Sequence, residues 1–105
     1  MTLTQFKELL LTVTDKVFHF EAQGDTDQEH IIWQEEQNRA LHGDGRRTEL
    51  IRYIQVDLYT KAEYPELLDT LLNVLEEADV AFEEPIPDYD TGTKFFRYII
   101  ECEVV

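Results

Sequence analysis

The side chains that could do chemistry in this sequence are one cysteine, Cys102, three histidines, His19, His30 and His42, and 23 carboxylates. Serine is absent, which excludes a Ser-His-Asp nucleophile. Cys102 sits in an alternating apolar stretch where a thiol packs as a small hydrophobe, and Glu101 and Glu103, if near the thiol, would push its pKa the wrong way for attack. The histidines match no zinc-ligand spacing, so a metal site would have to be assembled by tertiary folding. Asp25-Thr26-Asp27-Gln28-Glu29 begins like a calcium loop, but His30 stands where such a loop needs glycine, and an exposed hairpin turn fits better. Gly43-Asp44-Gly45 is too short for a phosphate loop and lacks its lysine. Carboxylates are too numerous for any acid/base pair to stand out. The expectation is a protein with no catalytic residue, no cofactor and no metal ligand.

Nine Lys plus Arg against 23 Asp plus Glu leave a formal net charge of −14. That balance argues against nucleic-acid binding, which draws on clustered cations, and against anionic membrane surfaces. No apolar run approaches the ~18–20 residues of a membrane span, and the N-terminus does not read as a secretory signal. A single cysteine rules out an internal disulfide and fits a reducing compartment. A chain of 105 residues with 43% apolar content points to one packed domain over 1–105. The acidic doublets are Glu35-Glu36, Glu76-Glu77 and Glu83-Glu84, whereas Arg39, Arg46, Arg47 and Arg52 concentrate four of the nine basic residues in one stretch.

Spacing predicts the elements that position these groups. Thr2-Leu3-Thr4-Gln5 is a capping box, and Leu3, Phe6, Leu10 and Val13 follow at helical intervals. Val17 to Phe20 and Ile31-Ile32-Trp33 read as strands, with turn chemistry between them at Gln23 to Asp27. Residues 38–50 show no period and read as a long exposed loop. From Arg52 to Thr60 the even positions Ile54, Val56 and Leu58 alternate with Tyr53, Gln55, Asp57 and Tyr59, giving one buried face and one polar, aromatic face. A second helix starts near Pro65, with Leu67, Leu68, Leu71, Leu72, Leu75 and Ala78 as its apolar stripe. Val80-Ala81-Phe82 is a short strand. Pro85 and Pro87 then exclude helix and disfavour a central strand. Lys94 to Val104 closes the chain as a long strand, with Phe96, Tyr98, Ile100, Cys102 and Val104 on one face. Helix, three strands, helix, two strands, all with short links, predict an α+β two-layer sandwich. Its sheet should be mainly antiparallel, of about five strands, with both helices on one face.

The run Tyr53-Ile54-Gln55-Val56-Asp57-Leu58-Tyr59-Thr60-Lys61, followed by Glu63-Tyr64-Pro65-Glu66-Leu67, resembles the strand, Thr-Lys, helix core of tail-completion proteins. These are also called tail-terminator or head-tail joining proteins, of phages and prophages with long non-contractile tails. The N-terminal helix, the Ile31 to Glu35 strand before a long loop, and the closing Tyr98 to Val104 strand agree in order with that family. The resemblance implies a structural role without catalytic residues. It implies a homo-oligomeric ring, commonly of six copies, that caps the tail tube protein and presents a surface to the head-completion protein. The place of action would be the virion, at the head-tail interface, after assembly in the bacterial cytoplasm. The free protein would be either a ring or a monomer that assembles on its tube.

A ring needs a heterologous interface, one patch meeting a different patch on the next copy. The expected pairing sets Arg39, Arg46, Arg47 and Arg52 of one copy against Glu76, Glu77, Glu83 and Glu84 of the next, contributing register and steering more than affinity. Two other classes stay open on the sequence. One is a small acidic binding or inhibitory protein of the DNA-mimic type, suggested by the net charge. The other is an α+β ligand-binding dimer that uses Tyr53, Tyr59, Arg97 and Glu101 on its open sheet face.

Overall fold

The structure is a computed structural model that describes residues 1–24, 27–36 and 51–105. The loop expected at 38–50 lies outside the described residues. Helix α1 (Leu3–Leu11) begins at the predicted capping box: Thr2 Oγ1 accepts from the Gln5 amide at 3.1 Å, and Gln5 Oε1 accepts from the Thr2 amide at 2.8 Å. Strands β1 (Val17–His19), β2 (His30–Glu35) and β3 (Arg52–Thr60) follow, then α2 (Glu66–Glu77), β4 (Ala81–Phe82), β5 (Ile86–Asp90) and β6 (Phe95–Val104). The fold is the expected α+β sandwich. Among the described residues no helix is long and apolar enough to cross a membrane.

The spatial order of the strands is β1-β2-β3-β6-β4, with β5 also on β6. Since β3 occupies one edge of β6, β4 and β5 share the other, end to end. They form one edge strand interrupted by a bulge. The Glu83 amide still donates to Glu101 O at 3.0 Å, Ile86 pairs with Ile99, and so Glu84 and Pro85 together face Ile100. Among the described residues six strands thus fill five positions, and the two prolines are accommodated because an edge tolerates missing donors. Pro85, Pro87, Asp88 and Asp90 also discourage a further strand from adding there.

Two expectations need correction. Short links were expected to give antiparallel neighbours, but β1 runs parallel to β2, with Val17 opposite Ile31. A three-residue strand is only ~10 Å long, so residues 20–29 suffice to return the chain to its starting end. Phe20 and Lys94, expected within strands, instead adopt φ of 72° and 64° and end the strand or the turn beside them. At the hairpin between β5 and β6 the turn is held by Asp90, whose carboxylate accepts from the Gly92 amide at 2.9 Å and the Thr93 hydroxyl at 3.0 Å.

The core lies between the helices and the even-numbered face of β3. Phe6, Leu10, Leu71 and Leu75 of the helices meet Ile31, Trp33, Ile54, Val56, Leu58, Ile100, Cys102 and Val104 of the sheet, all buried. Helix α2 ends in a Schellman motif: the Val80 amide donates to Leu75 O at 3.0 Å and the Asp79 amide to Glu76 O at 3.1 Å. The motif needs a left-handed residue, and Asp79 supplies it at φ 58°. Its carboxylate joins Glu76 and Glu77 at the negative end of the helix dipole. Asp79→Gly removes both penalties and is expected to stabilise the fold by about 0.5–1 kcal/mol, seen as a raised thermal midpoint.

Candidate functional site

The second face of the sheet carries the odd-numbered side chains of β3, and no helix among the described residues lies on it. Register builds it in rows. Phe18, Ile32, Asp57, Ile99 and Ile86 cross the five strand positions in one row; His30, Tyr59, Arg97 and Asp88 form the next. The first row is apolar except at its centre, where Asp57 is only 6% exposed.

A buried carboxylate needs a counter-charge and hydrogen bonds, and Asp57 has both. Arg97 donates to Oδ2 from Nη2 at 2.8 Å and from Nε at 3.3 Å, and Gln55 Nε2 lies 3.1 Å from both oxygens. Burial by itself would lower the Arg97 pKa, but the bond and charge of Asp57 outweigh it and raise the value. The guanidinium also lies over the Tyr59 ring, 5.9 Å from its centroid. Burial raises the Tyr59 pKa, Arg97 opposes that, and Asp57 and Asp88 add to it.

His30 stacks on Tyr59 with centroids 4.8 Å apart and planes 6° from parallel, and Phe95 meets both rings edge-on at 5.5 and 6.2 Å. Nδ1 of His30 is 2.8 Å from Gln28 O, so that nitrogen carries the proton and donates. Beside these rings opens a cavity of about 550 Å³, bounded also by Ile32, Asp88, Asp90 and Arg97. Thr60, at the end of β3, has the parity of the helix-facing side: its hydroxyl donates to Glu29 at 2.5 Å and accepts from the Ala62 amide at 3.1 Å.

Of the expected interface residues, Arg39, Arg46 and Arg47 lie outside the described residues. Arg52 opens β3 and donates to Met1 O at 2.7 Å. Glu76 and Glu77 are exposed in the last turn of α2, and Glu83 and Glu84 are exposed where the edge strand bulges. Glu83 shares a smaller depression of about 130 Å³ with Ala81, Phe82, Glu101 and Glu103. The four glutamates flank β4 in sequence, two at the end of α2 and two after Phe82.

Cys102 is buried in β6, and burial, helped by the charge of Glu36, pushes its thiol up to about 12. Iodoacetamide at mildly alkaline pH should therefore leave Cys102 unmodified in the folded protein and label it in urea, as mass spectrometry would read. Among the described residues no group of three or more His, Cys, Asp or Glu could hold a metal ion.

No protein-family model matches this chain, and no curated protein matches it. The site therefore has to be understood from its own geometry. Tyr59 and Arg97 were expected on the open face and are there. His30, Phe95, Asp88 and the buried state of Asp57 were missed. The alternation around Asp57 marked its face, but nothing local marked a partner forty positions further along.

Proposed function

We propose that this chain is a structural protein of the tail-completion type, which closes the tail tube as a homo-oligomeric ring and joins the tail to the head. The observation that carries this reading is the segment with the residue-level resemblance, Tyr53 to Leu67. It folds as one unit, in which β3 ends on Thr60 and α2 starts after Pro65. Thr60 ties the end of β3 to Glu29 and accepts from the Ala62 amide, so the Thr of the Thr-Lys pair fastens the turn. The partners in this reading are the tail tube protein and the head-completion protein, and the place of action is the virion.

The guarded edge at β5 favours ring contacts through faces, loops and charges over strand addition. Pairing of Arg39, Arg46, Arg47 and Arg52 with Glu76, Glu77, Glu83 and Glu84 of the next copy would then set the register of the ring. Light scattering at low and high salt, followed by negative-stain imaging, tests the proposal. Rings with a central hole that loosen in salt support it, and Arg46→Glu with Arg47→Glu should slow or misregister their assembly at low salt. A monomer at every salt concentration that also fails to cap isolated tail tubes overturns it.

A further inference from the structure

The sheet face on which no described helix lies carries a charge pattern that selects its partner. By register, Asp88, Asp90, Glu101 and Glu103 lie on that face along β5 and β6. Arg97, the one Lys or Arg among the described strand residues of the face, is already matched by Asp57. The cavity of about 550 Å³ therefore combines aromatic walls, His30, Tyr59 and Phe95, with a rim of surplus negative charge at Asp88 and Asp90.

We propose that this cavity receives an arginine or lysine side chain from a basic segment of a partner protein, whose apolar side chains rest on Ile32, Tyr59 and Ile99. The inference is independent of the ring: it rests on this face alone. The volume falls within the range of ligand sites, which are apolar hollows with a few placed polar groups. Its rings already serve as cation seats within the chain, since Lys61 Nζ lies 5.0 Å from the Phe95 centroid and Arg97 lies over Tyr59. A phosphate or carboxylate would meet Asp88 and Asp90 at the rim, with Arg97 already paired to Asp57 and Lys61 beyond the lining, over Phe95. A second copy of the chain offers one basic stretch, Arg39 to Arg52, on a body of net charge −14, and the ring reading already sets that stretch against Glu76, Glu77, Glu83 and Glu84. A basic, partly apolar segment satisfies both halves of the face.

The test is amide chemical-shift mapping of the protein with a short peptide of alternating Leu and Arg, beside its Leu-Glu counterpart. Shifts centred on His30, Tyr59, Phe95 and Arg97 with the basic peptide alone are expected. Asp88→Asn with Asp90→Asn, which keeps a turn-forming side chain at 90, should weaken binding about tenfold. Glu8→Gln with Asp69→Asn removes the same charge from exposed positions on the helical side and should leave affinity within about twofold. Lys61→Gln frees the Phe95 ring and should tighten binding. Equal weakening by both double variants would mean general charge attraction and overturn the proposal. Failure of the basic peptide to bind, or shifts centred on another surface, would overturn it as well.

Discussion

Phe6→Ala is expected to cost about 3–5 kcal/mol of folding stability, the range for truncating a fully buried phenylalanine. Phe6 has no exposed surface, and its ring meets Trp33 at 5.8 Å between centroids, tilted by 59°. The substitution loses buried area, leaves a cavity beside the indole, and removes an aromatic pair worth about 0.5–1.5 kcal/mol within that total. A chain of this length has about 5–15 kcal/mol in all, so the variant would be marginal. Helix α1 has nine residues, too few to persist in water without its docking contacts. Its capping box orders one end but does not attach it to the sheet. Trp33 is the sole tryptophan and stacks on His19 at 4.1 Å, so its fluorescence in a urea titration reports the transition directly. Phe6→Leu, which keeps most of the volume, should cost under about 1.5 kcal/mol. A loss below about 1 kcal/mol for Phe6→Ala would mean that α1 is not held through this ring.

Arg97→Met is expected to destabilise by about 2–4 kcal/mol, below the full range for breaking a buried pair because the Arg97 side chain is 35% exposed. The loss comes from what is left behind. Among the described residues Asp57 keeps only Gln55, and it sits among Ile32 and Ile99 with its side chain 8% exposed. Adding Asp57→Leu should recover most of the loss, since removing both charges leaves no stranded carboxylate. Urea denaturation of the two single variants and the double variant closes a double-mutant cycle. Additive losses would show that the pair contributes nothing as a pair. The cycle also bears on the open face, because without Arg97 the Asp57 charge would join those of Asp88 and Asp90.

Local spacing along the chain was enough to place α1 at its capping box, the start of α2 near Pro65, and the alternating strands β3 and β6. Caps, helical stripes and strand alternation act over a few residues, so they can be seen in a window of that length. The buried face of β6 was legible for the same reason, down to Cys102. The parallel pairing of β1 was not, because link length alone does not determine direction when the strand is three residues long. Nor was β5, where the prolines spoke against a central strand and only the free edge of β6 made room for them.

The candidate site divides along the same line. Tyr59 and Arg97 could be assigned to the open face from alternation, since parity within a strand is a local property. That Arg97 meets Asp57, that His30 stacks on Tyr59, and that Phe95 closes the ring cluster all depend on the register of β2 and β6 against β3. Register is decided by the sum of core contacts on the opposite face, where Ile31, Leu58 and Ile100 must meet the helices together. A one-residue slip would turn every apolar side chain to the wrong side, so the packed face also dictates which polar side chains become neighbours on the open one.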